Sequence, residues 1–200
     1  MKQTRTQDFK QNYGPWALIL GASEGVGSAV VEALAAQGLN IVLVSRRQST
    51  MEDVAASVGN QFGVDTRVLA LDLFVADAMQ TLEAATADIE IGFVVSCAGG
   101  DTEFGNFLDR SLESQEALLL RNCTLLMRTC HHFGSQMKAK GRGGIVILSS
   151  GAAVAGAPGL ATYSGTKAFD LLFAESLWGE LKPKGVDVLC LMLADTDTPT

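Results

Sequence analysis

The sequence predicts an α/β protein: a single domain built on a doubly wound parallel β-sheet with helices on both faces. Three observations carry this expectation. Six short apolar runs recur along the 200 residues, at Trp16–Leu20, Asn40–Ser45, Arg67–Leu71, Ile91–Cys97, Gly144–Ser149 and Val186–Leu193. Most are continuous rather than alternating, and several are rich in Val and Ile, which suits strands buried on both faces of a parallel sheet. Longer helix-like segments separate them, at Ser28–Gln37, Met51–Phe62, Ala76–Ala87 and Glu113–Lys140. Such alternation implies βαβ units, whose right-handed crossovers stack helices on either face.

Composition narrows the function classes. Hydrophobic residues make up 48% of the chain and charged residues 18%, enough apolar material for a core and too little charge for a disordered chain. The net charge is −7 and no basic run occurs, which argues against a nucleic-acid partner. The first ten residues are polar and hold no apolar secretory segment. No stretch is long and apolar enough to cross a bilayer, so a cytoplasmic protein is expected. Cys97, Cys123, Cys130 and Cys190 show no C-x-x-C spacing, and the two His are adjacent, so no metal site is expected. Reduced, mostly buried thiols are the simpler reading. With no internal repeat or linker, residues 1–200 read as one domain.

Ligands of doubly wound sheets bind at the carboxyl ends of the strands, near the point where strand order reverses. The first apolar run leads straight into Gly21-Ala22-Ser23-Glu24-Gly25-Val26-Gly27, with a helical pattern from Ser28. Glycines there let backbone approach a pyrophosphate, and the helix N-terminus beyond offers free N–H groups. After the second run, an acidic residue would accept from a ribose 2′-hydroxyl and favour NAD. This chain has Ser45-Arg46-Arg47 instead. A guanidinium pairs with a phosphate dianion, so NADP(H) is favoured, with Arg46 as the ligand and NAD(H) as the rival. Glu24 counts mildly against a phosphate unless it points to water. Asp72 reads equally as an acceptor from the adenine amino group and as a helix N-cap.

Tyr163 and Lys167 lie four residues apart in a helical pattern, hence on one face. An ammonium beside a phenol stabilises its phenolate form, which is why the two types work together in proton transfer. Ser149-Ser150 closes the fifth run, where a small hydroxyl meets a substrate oxygen. Asn122 sits among Leu118–Leu120 and Leu125–Met127. Buried, it needs partners, and holding a relay water would explain it; on a helix surface it would need no explanation.

Together these pieces resemble the short-chain dehydrogenase/reductase family in its single-domain, Rossmann-like form. Gly21, Gly25 and Gly27 fit the family's G-x-x-x-G-x-G pattern, and Tyr163 and Lys167 fit Y-x-x-x-K. Ser150 lies thirteen residues before Tyr163, the family's spacing, and Asn122 lies in the helix before the serine strand. The segments Tyr13-Gly14-x-Trp16-Ala17, Gly38-Leu39-Asn40 and Tyr163-Ser-x-x-Lys167-Ala-Phe169 look like the branch of 17β-hydroxysteroid dehydrogenases and very-long-chain 3-oxoacyl-CoA reductases. The resemblance implies a catalytic tetrad of Asn122, Ser150, Tyr163 and Lys167. It implies cofactor contacts from Gly21, Ser23, Gly25, Val26, Gly27, Arg46, Asp72, Leu73, Ala98, Gly99, Tyr163, Lys167, Thr196 and Thr198.

Three departures stand out. Ser96-Cys97-Ala98-Gly99 replaces the family's frequent Asn-Asn-Ala-Gly, and Leu193-Ala194 replaces its Pro-Gly. Family members usually continue past the position of Thr200 into a substrate loop, a helix and a seventh strand, so the chain is expected to be trimmed. The expected activity is reversible hydride transfer between NADP(H) and a carbonyl/secondary alcohol pair. Tyr163 would donate the proton, Ser150 would steady the carbonyl oxygen and Asn122 would anchor a water. The competing readings are an NAD-linked dehydrogenase and a non-catalytic dinucleotide-binding sensor or scaffold. Loop residues Gly100–Asn106 and Ala152–Leu160 are small or apolar and suit a nonpolar substrate. The segments Glu113–Lys140 and Ala161–Lys182 carry more apolar residues than one sheet-covering face needs, which implies a homodimer or homotetramer.

Overall fold

A computed structural model of the protein describes residues 2–75, 77–101 and 103–194. Six strands form one sheet: β1 (Trp16–Leu20), β2 (Asn40–Ser45), β3 (Thr66–Ala70), β4 (Ile91–Ser96), β5 (Gly143–Ser150) and β6 (Val186–Leu193). All neighbouring pairs are parallel, in the order β3-β2-β1-β4-β5-β6. The order reverses between β1 and β4, where Leu20 lies opposite Ser96. This is the Rossmann-like architecture the sequence predicts.

Side chains alternate across each strand, so each apolar run feeds two cores. On one side Leu18, Leu20, Val42, Val44 and Ile145 pack under α4 (Ala78–Thr86), α6 (Leu125–Lys140) and α7 (Ala161–Leu181), through Leu82, Phe133, Met137 and Ala174. On the other side Ala17, Ile19, Ile41 and Leu43 meet α2 (Gly25–Ala35) and α3 (Gln48–Phe62), through Val31, Leu34, Met51 and Val58. Each fully buried Leu, Ile or Phe contributes about 1.5–3 kcal/mol of transfer energy. The continuous apolar runs are therefore a consequence of helices on both faces.

Differences from expectation have local causes. Helix α2 begins at Gly25 rather than Ser28, because the glycine loop closes directly into the first turn and the Ser28 hydroxyl donates to the Gly25 carbonyl at 3.0 Å. The segment Glu113–Lys140 is two helices, α5 (Leu112–Leu119) and α6, joined by a π-helical turn over Leu120–Thr124. A further helix, α1 (Lys2–Tyr13), has no amphipathic pattern to announce it. Tertiary contacts fix its end: the Phe9 and Tyr13 rings lie 5.8 and 5.2 Å from Phe93, and the Tyr13 hydroxyl donates to Asp187 Oδ2 at 2.7 Å. Among the described residues no helix is long and apolar enough to cross a membrane. The four cysteines are free thiols, and burial pushes Cys97 and Cys130 up to about 12.

Candidate active site

The reversal of strand order splays the connections after β1 and β4 apart and opens a cavity of about 860 Å³ at their carboxyl ends. The glycine loop, Gly99–Asp101, Leu148–Ala152, Tyr163, Lys167 and Leu193-Ala194 line it. Seven of the expected cofactor contacts border it together: Gly21, Gly25, Val26, Gly27, Gly99, Tyr163 and Lys167. Ala98 packs on the core beside Gly21, and Ser23 is buried within the loop, where its hydroxyl accepts from Ser45 at 3.1 Å. The loop needs glycine at position 27. A Cβ there would overlap the Gly21 carbonyl oxygen and lie 2.9 Å from the carbonyl carbon. Gly99 is constrained through its backbone: its φ is +145°, and a Cβ would sit 3.1 Å from Lys167 Nζ and 3.4 Å from Asn122 Oδ1.

The ends of β2 and β3 hold a cationic cluster. Arg46 is exposed, with its guanidinium carbon 5.5 Å from the centre of the Phe74 ring. Arg121, half-buried, approaches the same ring at 4.6 Å. Burial, and secondarily the charge of Arg46, disfavour the protonated form of Arg121. Glu24 forms an ion pair with Arg47, which answers the objection that its carboxylate would repel a phosphate. Asp72 is exposed and is not a helix cap, since α4 begins at Ala78 after Asp77; its Oδ1 accepts from the Phe74 N–H at 3.0 Å in a tight local turn. Leu73 turns its side chain into the core, 6% exposed. Thr196 and Thr198 lie outside the described residues.

The four candidate catalytic residues converge from three elements. Ser150 ends β5 on the cavity wall, its Oγ accepting from the Ala152 N–H at 3.2 Å. Helix α7 presents Tyr163 and Lys167 to the cavity a turn apart, with Lys167 Nζ 5.9 Å from the Tyr163 ring centre. Lys167 is almost fully buried and donates to the Leu148 carbonyl at 2.9 Å and to Asp170 Oδ2 at 3.0 Å. The neighbouring Ser149 hydroxyl donates to the Lys167 carbonyl at 2.8 Å, tying α7 to β5.

Asn122 sits in the π-helical turn and is buried. Its Nδ2 donates to Thr166 Oγ1 at 2.9 Å, and its Oδ1 accepts from Arg121 Nε at 3.2 Å. The Thr166 hydroxyl passes the chain on to the Tyr163 carbonyl at 2.8 Å. The asparagine is thus no surface residue but a buried polar group with its partners supplied. The π turn bends the helix toward the site, a common place for such turns.

The outer wall of the cavity is built from two loops that meet where the Gly105 N–H donates to the Gly159 carbonyl at 3.3 Å. Asp101, also on the cavity wall, pairs with Arg110 at 2.7 Å and pins the first loop. Phe104, Ala152, Ala155 and Leu160 make this end apolar. Sequence reasoning did not anticipate Asp170, Arg121, Phe74 or the Asp101–Arg110 pair. Asp170 had a signal: a lone carboxylate, three residues after Lys167, between Phe169 and Leu171.

A βαβ sheet with a glycine loop after its first strand and a Ser-Tyr-Lys wall defines a class of dinucleotide-linked oxidoreductases. Residues 15–200 match the short chain dehydrogenase family, and the chain belongs to it. It is accordingly an oxidoreductase of CH–OH groups that uses NAD(P). The 7β-hydroxysteroid dehydrogenase of Collinsella aerofaciens is 34% identical over 195 residues, covering 96% of this chain and 73% of that protein. The very-long-chain 3-oxoacyl-CoA reductase of Meyerozyma guilliermondii is 35% identical over 185 residues, covering 88% of this chain and 54% of that one. Among solved structures, one concerned with 7β-hydroxysteroid dehydrogenase stereoselectivity superposes with a TM-score of 0.92 at 34% identity, covering 96% of this chain and 73% of the other. A short-chain dehydrogenase from Sphingobium yanoikuyae in complex with NADPH gives 0.87 at 31% identity, covering 92% and 72%.

Proposed function

We propose that the chain is an NADP(H)-dependent oxidoreductase that interconverts a carbonyl and a secondary alcohol on a bulky nonpolar substrate of the hydroxysteroid or 3-oxoacyl type. The observation that carries this reading is the placement of Ser150, Tyr163 and Lys167 on one cavity wall, opposite the glycine loop. The residues fit a dinucleotide: Gly27, with no Cβ, lets the glycine loop fold tightly back onto α2, and the first turn of α2 offers unpaired N–H groups to a pyrophosphate. Gly21, Ser23, Gly25, Val26, Gly27, Ala98 and Gly99 would hold it, with Asp72 and Leu73 at its adenosine end and Arg46 at a 2′-phosphate. When bound, the nicotinamide supplies the hydride.

The protein's own residues handle the proton and the charge. In reduction, the Tyr163 hydroxyl donates its proton to the carbonyl oxygen as that oxygen gains charge. The Ser150 hydroxyl donates a second hydrogen bond to the same oxygen. Lys167, fixed beneath Tyr163 by the Leu148 carbonyl, stabilises the phenolate left behind. Asn122 holds the π turn against α7 and would anchor a water through which the proton returns from solvent.

The apolar wall of Phe104, Ala152, Ala155 and Leu160 supports a nonpolar substrate. The relatives add weight, since the first are named for hydroxysteroids and others for 3-oxoacyl-CoA. Arg46 and Arg121 flanking one ring support NADP over NAD. Exposed apolar residues on α5 to α7 and the turn between α5 and α6, among them Leu112, Leu120, Met127, Leu172 and Trp178, support a homodimer or homotetramer.

The test is NADPH oxidation with a 7-oxosteroid, a 3-oxoacyl-CoA thioester and a bulky aryl ketone, repeated with NADH and with Arg46→Ala. Turnover of at least one ketone, with an NADP preference that drops tenfold or more in the variant, is expected on the size of a charge-assisted contact. NADPH binding without turnover of any ketone would instead make the chain a dinucleotide-binding sensor.

A further inference from the structure

Helix α7 carries a buried charge that the proposed mechanism does not use. Asp170 stands three residues after Lys167 on the same face, and its Oδ2 accepts from Lys167 Nζ at 3.0 Å. Both side chains are nearly inaccessible, 3% and 6% exposed. The second carboxyl oxygen, Oδ1, is buried without a hydrogen-bond partner among the described residues. The other titratable groups facing Asp170 are thiols: Cys123 from the π turn, Cys130 from α6 and Cys190 from β6. Burial pushes the carboxyl upward, and Lys167 alone opposes that.

A carboxylate placed only for stability would have both oxygens satisfied, because an orphaned buried acceptor costs free energy that an apolar residue would not. An apolar side chain would suit the same surroundings. What the carboxylate does do is face the ammonium that faces Tyr163. We propose that Asp170 is a positioning residue whose carboxylate, ion-paired to Lys167 inside the fold, sets the pH range over which Tyr163 transfers protons. The inference rests on the reading of Tyr163 and Lys167 as the acid/base pair.

The direction follows from Coulomb's law. A negative charge beside Lys167 offsets part of the positive field at the phenol, and so disfavours phenolate relative to an unpaired lysine. Asp170→Asn keeps the shape and removes the charge; Asp170→Leu also removes the polarity. In either variant phenolate forms at lower pH. A pair separated by the width of a side chain acts over about one pH unit, a tenfold change in phenolate fraction at fixed pH.

The experiment measures kcat/KM for NADPH-driven reduction against pH, with the panel ketone that the wild type turns over fastest. NADPH affinity is measured alongside. The expected result is an alkaline limb shifted to lower pH by about one unit in both variants, with NADPH affinity within a few-fold. A uniformly scaled profile with an unmoved midpoint overturns the inference, since that is what a merely structural role produces. Failure of both neutral variants to fold overturns it as well, because the carboxylate would then serve the fold. Tyr163→Phe in the same assay separates the two levels. Turnover by Tyr163→Phe removes the acid/base reading itself, whereas an inactive Tyr163→Phe with an unmoved Asp170→Asn midpoint removes only this inference.

Discussion

Gly27→Ala places one methyl group where the glycine loop folds back on α2. Its Cβ would overlap the Gly21 carbonyl oxygen and come within 2.9 Å of the Gly21 carbonyl carbon and 3.2 Å of Ala22 Cα. Non-bonded carbons rest at about 3.5–4.0 Å, and the atoms met are backbone, which cannot swing aside as a side chain does. Either the loop or the first turn of α2 must therefore retreat by about 1 Å. A displacement of about 1 Å at a reacting or binding centre costs roughly 10²-fold. At about 1.4 kcal/mol per decade, this corresponds to about 2.8 kcal/mol of lost cofactor binding and transition-state stabilisation. Overpacking costs stability too, about 1–3 kcal/mol, or about 2–4 °C in Tm for each kcal/mol in a chain of this size. The control is Gly179→Ala on α7, where a Cβ meets nothing within 4 Å. It should gain up to about 1 kcal/mol from helix propensity and leave NADPH affinity unchanged. Fluorescence titration of NADPH and thermal melts of both variants provide the assay. Wild-type NADPH affinity in Gly27→Ala would refute the claim that the loop cradles the dinucleotide.

Other outcomes follow from the same contacts. Phe133→Ala removes a ring that is 1% exposed at the centre of the sheet–helix core, and should cost about 3–5 kcal/mol in urea unfolding with little change in NADPH affinity. Asn122→Ala removes the donor to Thr166 Oγ1 and the acceptor of Arg121 Nε, so a loss of about 1–3 kcal/mol is expected, together with reduced turnover. Burial, aided by the hydrogen bond to Asp187, pushes Tyr13 up to about 12. The folded state thus keeps a proton that the unfolded chain releases near pH 10, so this contribution is complete below about pH 10 and is lost as pH rises toward 12. Urea unfolding should show a stability gap between wild type and Tyr13→Phe that is constant at neutral pH and narrows above pH 10.

The strands and the side chains that border the cavity are legible because each depends on chemistry local in sequence. A strand covered on both faces must be apolar throughout, and Leu18 and Ile19 show this by facing opposite cores. The glycine loop and the Tyr163–Lys167 pair follow from spacing within one stretch of chain, and Ser150 from its place at the end of an apolar run, thirteen residues before Tyr163. What sequence reading missed depends on elements far apart in the chain. Helix α1 is polar and is fixed by contacts distant in sequence, Phe9 and Tyr13 on Phe93 and Tyr13 on Asp187, and the π turn at Asn122 reads as ordinary helix until α7 packs against it. The Asp72 cap was an even choice that the position of α4 decided against. Arg121 looks like a helix-surface residue until the turn after β3 brings Phe74 beneath it. Asp170 was visible as a charge out of pattern, but its partner is clear only when Lys167 points inward.

The proposed chemistry turns on Tyr163 as the proton donor to a carbonyl oxygen. The direct measurement is NADPH oxidation by Tyr163→Phe, which removes one hydroxyl from the cavity wall and leaves the ring in place, with thermal melts and NADPH titration confirming an intact fold and cofactor site. Loss of the general acid should lower kcat by about 10²–10⁴-fold, with NADPH affinity within a few-fold of wild type. Wild-type kcat in the folded, NADPH-binding variant would contradict the account.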